Sequence, residues 1–346
     1  MPSSAESVTG DNRQVTNPSK PRGRSRLSEF VATYGLAVVF LLVLVVFSIL
    51  RPATFLSSAN IGNLLTSQSV TALLAFAVMM PLTTGRFDLS IGYHVGMAQV
   101  LAIGLQVNNN LSWPVAAAIV LAIGLVVGLV NGILVTRFKI DSFIATMGVG
   151  SLLYGVSNWY TDGQQISGFD LPDSFGNLSQ VVNHVPLPAV YVAVVALVLW
   201  VILERLPAGR SLYVIGSNAR AAELSGINVA RCVTATLVAS GLLCAIAGII
   251  LASILRSGTP SVGPEYLLPA FAGSLLGATS IRPGRVNVGG TLFAVLILAF
   301  SFSGVQQLGA AFYVEYFFNG GILVIAVALS VYAGIRRRKA AVAANN

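Results

Sequence analysis

The sequence predicts an all-α polytopic membrane protein with about ten transmembrane helices and cytoplasmic N- and C-termini. Three observations predict it. Charged residues make up 9% of the 346 positions and apolar residues 55%, whereas a soluble domain carries about 25% charged residues. So few charges do not cover a water-facing surface of this size, which excludes a cytosolic enzyme, a disordered protein and a secreted disulfide scaffold. Apolar runs recur along the chain, several approaching the ~20 residues that span a bilayer. Lys and Arg fall in alternate connections, the charge bias that orients membrane helices.

In chain order, residues 1–28 are polar and lack the apolar core of a signal peptide, so they read as a disordered cytosolic tail. The transmembrane domain occupies 29–335, and 336–346 is a basic cytosolic tail. The apolar runs lie at about 32–50, 64–84, 90–107, 113–135, 143–160, 189–204, 233–255, 267–281, 290–308 and 317–334. Those at 189–204 and 267–281 are short, as in tilted, broken or partly re-entrant spans. With the N-terminus inside, alternation puts 18 Lys and Arg inside and leaves only Arg51 and Arg256 outside. The outer segment 161–187 has no Lys or Arg and carries Asp162, Asp170 and Asp173. The longest inner connection is 205–232.

The net charge of +8 is spread between apolar runs. It reads as topological charge facing the lipid bilayer, with no nucleic-acid partner. Gly85–Leu89 and Gly284–Val288 look alike. A five-span inverted repeat would pair the second span with the seventh, not the eighth, so chance likeness of two Gly turns stands beside a repeat. Cys232 and Cys244 lie twelve residues apart, roughly 18 Å along one helix, too far for a disulfide. With two histidines besides, no metal site is expected.

No phosphate-cradling GxxxxGK[ST] is present, and no HExxH, GxSxG or Cys–His pairing. An enzyme is not expected. Asp88, Glu204, Glu265 and Glu315 lie at or near span ends, and His94 is the one titratable group well inside a run. A proton-coupled carrier needs a midplane carboxylate or His relay, and a lone His94 reads as a packed or hydrogen-bonded helix residue. Neutral polar groups are plentiful, among them Gln68, Asn131, Thr146 and Asn158. Either they hydrogen-bond between helices or, with Tyr154, Trp159 and Tyr160, they line a path for a neutral polyhydroxyl solute. Asp88, before Leu-Ser-Ile, either caps a helix or touches the solute.

In the inner connection, Asn218 is placed to cap a short helix over 219–225 that Gly226 ends. Such a helix lies on the membrane or fits a groove on a cytosolic partner. In the second case Ala221, Ala222 and Gly226 permit close approach, with Arg220 and Glu223 at the rim.

Five segments, in order, resemble the ribose-type permease family of bacterial ABC sugar importers. They are Thr54–Ile61 with the Gln68–Phe76 stretch after it, Asp88-Leu89-Ser90-Ile91-Gly92, Asn131–Leu134, Ser142–Gly148 and Gly209–Gly226, with the likeness spread over roughly 54–334. Three departures stand out. Arg86 replaces the second Gly of the family's Gly-Gly-Ile-Asp-Leu-Ser-Val-Gly, Arg282-Pro283-Gly284-Arg285 replaces a Gly-rich turn, and Arg220 stands where the wider coupling motif has Glu. The resemblance implies a type II ABC importer-like permease of the bacterial inner membrane. It implies a homodimeric pathway with a second copy, separate cytosolic ABC ATPase subunits that bind ATP, and a periplasmic substrate-binding protein that delivers a monosaccharide or related polyol. No cofactor on the chain itself is implied. The candidate pathway residues are Phe87, Asp88, Ser90, Asn131, Thr146, Tyr154 and Asn158. Those for coupling to the ATPase are Gly209, Arg210, Asn218, Ala221, Ala222 and Gly226. The alternatives are a branched-chain amino-acid or nucleoside ABC permease and, from another class, a stand-alone secondary carrier.

Overall fold

The computed structural model describes residues 26–279, 281–282, 284–311, 313–321 and 324, with side chains from 36 onward. The expected tail 336–346 and most of the tail 1–28 lie outside these residues.

Helix α1 spans Arg26–Leu50, starting inside the expected polar tail. Helix α2 spans Ser58–Leu82, and its first turn is set by Ser57, whose hydroxyl accepts from the Asn60 N–H at 3.2 Å. It therefore starts before the apolar run at 64, because a capped polar turn carries no apolar signal. Helix α3 spans Ile91–Val107, and α4 spans Trp113–Thr136 with Pro114 in its first turn. Helix α5, Ser142–Thr161, is capped by Asp141, which accepts from the Phe143 N–H at 2.9 Å.

The segment after α5 holds strand β1 (Ile166–Ser167), the one-turn helix α6 (Asp173–Gly176) and the hairpin strands β2 (Val181–Val182) and β3 (Val185–Pro186). Helix α7, Leu187–Trp200, runs on through a π turn, Val201–Arg205. Then come α8 (Pro207–Ser217), α9 (Ala219–Leu224) and α10 (Val229–Leu255). Strand β4 (Ser257–Gly258) pairs antiparallel with β1, Ile166 opposite Gly258, so the ends of α5 and α10 share one face of the molecule. Helix α11, Leu267–Gly277, follows a 3-10 turn at Gly263–Tyr266. Its 11 residues reach only about 16 Å, so the short run at 267–281 is a broken helix. Helix α12, Val288–Gln307, is capped by Asn287, which accepts from the Gly290 N–H at 2.7 Å; residues 314–321 are helical again.

Among the described residues, five helical segments are long and apolar enough to cross a membrane. They differ in what they face. In the most apolar windows of α2 and α10, 78% and 72% of residues are buried inside the protein, against 28% in Leu187–Arg205. The centre is thus α2 against α10, with α3, α4, α11 and α12 around them and α7 largely turned outward.

Close backbone contact holds this centre. Gly124, Gly128 and Gly132 recur every four residues on one face of α4 and meet Thr234, Leu237, Gly241 and Ala245 of α10. A Cβ on Gly128 would lie 2.5 Å from the Leu237 carbonyl oxygen, and one on Gly241 2.3 Å from that of Gly124. Small residues at this spacing let helix backbones approach in a bilayer, where van der Waals packing rather than water exclusion drives association. Cys232 and Cys244 are both free thiols.

Candidate functional site

The chain leaves α2 through residues that close a helix end by themselves. The Thr83 hydroxyl donates to the Met80 carbonyl at 2.6 Å and the Thr84 hydroxyl to the Pro81 carbonyl at 2.9 Å. Gly85, at φ 73°, takes the left-handed conformation that reverses the chain. The Arg86 N–H still bonds back to the Pro81 carbonyl at 3.1 Å, and residues 87–89 then run without helical hydrogen bonds until the Ser90 carbonyl accepts from the His94 N–H at 2.8 Å and α3 begins at Ile91.

Buried irregular backbone needs its polar groups satisfied by the protein, and α5 does so. Its Ser142 Oγ accepts from the Phe87 N–H at 3.2 Å, and its Thr146 Oγ1 accepts from the Leu89 N–H at 2.9 Å. Thr146 in turn donates to the Ser142 carbonyl at 2.7 Å.

Asp88 is the centre of the seam, only 2% exposed. One carboxylate oxygen accepts from the Ser90 N–H at 3.0 Å and from the Ser90 hydroxyl at 2.5 Å. The other accepts from the Ser240 hydroxyl of α10 at 2.7 Å. Asn131 of α4 donates to Ser90 Oγ at 2.9 Å, leaving its own Oδ1 without a partner. The seam therefore ties the unwound stretch to α4, α5 and α10. Asp88 holds the turn just before α3, while the residue flanking the helix is Ser90, which makes no side-chain cap of its own. Asp88 thus accepts one turn position ahead of the helix, from Ser90, while its second oxygen is taken by Ser240.

Of the candidate pathway residues, Asp88, Ser90, Asn131 and Thr146 meet in this seam, with the Phe87 backbone joined to it and its ring stacked on Phe271 at 6.5 Å. Tyr154 and Asn158 do not join it. They lie further along α5, where the Asn158 amide donates to the Tyr154 carbonyl at 2.8 Å and Tyr154 packs on Tyr93. That part of α5 is turned outward: Leu152, Tyr154, Val156 and Trp159 are exposed, Trp159 by 78%. Ser142 and Ser240 are members of the seam that the sequence did not single out. Ser240 lies 152 positions from Asp88, and no local signal joins them.

The second group of candidates lies on α8 and α9. Asn218 Oδ1 accepts from the Ala221 N–H at 3.0 Å, capping α9 as its sequence implies, and Gly226 at φ 82° ends the turn. Ala222, expected to give close approach to a partner, is instead fully buried against Val135, Ala145, Ile215, Val233 and Leu237 of this chain. On a one-and-a-half-turn helix one face must anchor it, and the small residue takes that face. The outward apolar residue is Leu224, 77% exposed, flanked by the Arg220–Glu223 pair at 2.9 Å. Gly209 is structural too, since a Cβ there would lie 2.2 Å from the Leu203 carbonyl oxygen.

A continuous route joins the two groups. At the end of α8, a Cβ on Gly216 would lie 2.3 Å from the Thr83 carbonyl oxygen. The end of α8 thus packs directly on the turn that leads to Asp88. Gly216→Val is expected to destabilise this junction by about 1–3 kcal/mol through overpacking, read as a lowered melting temperature in detergent. A second junction uses the Arg residues of the 282–285 turn. Arg282 pairs with Glu204, Arg285 lies over the Tyr213 ring at 3.8 Å, and the Tyr213 hydroxyl donates to the Val286 carbonyl at 2.9 Å. Burial, reinforced by Glu204, raises the Tyr213 phenol above its usual 10.0, so it stays a donor.

Among the described residues no group of three or more His, Cys, Asp or Glu is placed to hold a metal ion. The described residues form a set of helices around a polar seam, with Asn131 Oδ1 left unpartnered in it, and an outward helical hairpin beside it.

Comparison with known proteins agrees. The family model described as "Branched-chain amino acid transport system / permease component" matches residues 60–327. The chain is 38% identical to the ribose import permease protein RbsC of Bacillus subtilis over 293 residues, 84% of this chain and 90% of that protein. It is 33% identical to the galactose/methyl galactoside import permease protein MglC of Haemophilus influenzae over 308 residues, 84% of this chain and 91% of that protein. To RbsC of Escherichia coli K12 it is 33% identical over 297 residues, again 84% and 91%. No solved structure matches the chain. A match to the family model over most of the chain, on a membrane-helical fold, makes this protein a member of the permease-component family of ABC transport systems, a multi-pass membrane transport protein and not an enzyme.

Proposed function

We propose that the chain is the membrane-spanning subunit of an importer in the bacterial inner membrane, carrying a monosaccharide or related polyol delivered by a periplasmic binding protein. A second copy completes the pathway, and separate cytosolic ATPase subunits bind and hydrolyse ATP. The observation that carries this reading is the ribose and galactose named in relatives aligned over 84% of the chain. The hydroxyl and amide groups around the fully engaged Asp88 carboxylate, and the outward aromatic and amide groups of α5, support it, since a neutral sugar is met by hydroxyl, amide and ring faces. The family description favours a second reading, a branched-chain amino acid as solute. Ligand binding by the cognate binding protein across pentoses, hexoses, polyols, nucleosides and branched-chain amino acids decides between them; binding of the amino acids alone overturns the sugar reading.

Ten spans with both termini inside are part of the same reading, supported by the 18-to-2 division of Lys and Arg. In a chain with Cys232→Ser and Cys244→Ala, single cysteines at Ser174 and Ser217, both exposed, are expected to react with an impermeant maleimide from opposite sides of the membrane. Reaction from the same side means a miscounted span.

The α8–α9 hairpin is the contact with the ATPase, Leu224 entering an apolar recess on that subunit. Leu224→Glu is expected to abolish solute-stimulated ATP hydrolysis in reconstituted transporter while leaving the fold intact, because the side chain touches little of its own chain. Undiminished coupling in this variant would move the contact elsewhere. Ala222→Trp gives the opposite pattern, loss of folded protein, because its site is interior.

A further inference from the structure

Beside α9, the turn joining α4 to α5 and the turn after α2 enclose a cleft of about 610 Å³ that the transport reading leaves without a role. Arg86, Lys139 and Arg220 line it together with Asp141 and Glu223. Glu223 pairs with Arg220 at 2.9 Å, and Asp141 keeps its charge while accepting from the Phe143 N–H at 2.9 Å, so the three cations outweigh the two carboxylates. Among the described residues, Arg86 and Lys139 have no ion-pair partner. Two cations facing one concavity repel each other, and an anion placed between them removes that repulsion and adds charge-assisted hydrogen bonds.

We propose that this cleft binds the phosphate group of an anionic ligand, with Arg86 and Lys139 as its cations. A phosphate suits it better than a single carboxylate, because a near-dianion matches two free cations and the Arg fork presents parallel donors to phosphate oxygens. The volume exceeds what inorganic phosphate fills, and Val135, Val229 and Val233 supply an apolar wall for an organic body. A cytosolic phosphate monoester carries that near-dianion charge in full, while the phosphodiester head of an anionic lipid brings one charge and the same phosphate oxygens. Because Ala219 and Arg220 of α9 form one side of the cleft, an occupant holds the helix assigned above to coupling. That consequence rests on the proposed function; the binding itself does not.

The test uses the purified full chain. In phosphatidylcholine nanodiscs, calorimetry is run with inorganic phosphate and with ribose 5-phosphate. In nanodiscs with added phosphatidylglycerol, native mass spectrometry measures retained anionic lipid. Saturable binding is expected in at least one arm, the monoester pointing to a soluble ligand and retained phosphatidylglycerol to a lipid. Arg86→Gly, which installs the residue of the family signature, and Lys139→Gln are each expected to weaken it about tenfold or more, the scale of one lost charge-assisted contact. Arg256→Gln, a cation beside Asp173 at 3.8 Å and outside the cleft, leaves it unchanged. Absence of saturable binding in both arms, or binding that Arg86→Gly and Lys139→Gln do not weaken, overturns the proposal. Uptake by the reconstituted transporter, measured in parallel, separates the two readings: binding without sugar uptake rejects the transport reading alone.

Discussion

Asp88→Leu is expected to abolish transport and to lower the stability of the permease by about 3 kcal/mol, while Asp88→Asn stays close to the parent protein. The carboxylate accepts from the Ser90 N–H, the Ser90 hydroxyl and the Ser240 hydroxyl. Leucine removes every one of these acceptors inside a dry seam. The Ser240 hydroxyl can rotate to the Thr236 carbonyl one turn back, as serines in helices do, but the Ser90 N–H has no second acceptor. Each buried donor left without a partner costs about 1–3 kcal/mol. Asparagine keeps the geometry: its carbonyl takes both Ser90 donors, and its amide donates to Ser240 Oγ, which has lone pairs to accept. Uptake at matched membrane expression, with thermal stability in detergent, measures both variants. Equal loss of uptake in both, with stability retained by Asn, would instead assign the charge a direct role toward the solute.

Gly241→Leu is expected to yield no folded permease. The α4–α10 crossing leaves no room for a Cβ on Gly241, whose nearest neighbours are the Gly124 carbonyl oxygen at 2.3 Å and the Gly128 backbone at 3.0 Å. Overpacking of a side-chain core costs typically about 1–3 kcal/mol. Here the obstacle is backbone, so the helices must separate and the cost is about that much or more. Separation would also pull Ser240 from Asp88, one residue away on the same helix. Gly155→Ala is the matched control, because nothing lies within 4 Å of a Cβ there. Fluorescence-detected size exclusion of membrane extracts reads both: an aggregated Gly241→Leu beside a monodisperse Gly155→Ala is the expected result.

Helix ends were the most legible part of the fold. Asn218 caps α9 and Gly226 ends it because both devices act within a single turn, where sequence distance equals spatial distance. The start of α2 at Ser58 was less legible, since its first turn is polar and stands outside the apolar run. Gly124, Gly128 and Gly132 carry a readable four-residue spacing, yet the spacing names no partner; only α10 shows which backbone they meet. Within the candidate site, Asp88 and Ser90 were visible as a local pair, and Ser240 was not. Ala222 shows the opposite error. Its small size suits a contact surface and a crowded interior equally, and the structure puts it in the interior.

By itself the sequence determined that this protein is a multi-pass membrane protein and roughly where most of its described helices lie, though α1 and α2 begin more than a turn before their apolar runs. Those follow from composition, run length and local hydrogen-bond chemistry. Only the tertiary structure decided which face of each helix is interior. It turned α2 and α10 inward and α7 outward although all three carry a window apolar enough to cross a membrane. It also split the pathway candidates between a buried seam at Asp88 and an outward face at Tyr154. In water, an apolar stripe marks the side that must be hidden. In lipid the surroundings are as apolar as the core, so apolarity ceases to mark a side. What remains to choose it is shape, the glycine-lined backbone contact, and the few polar groups that must find one another.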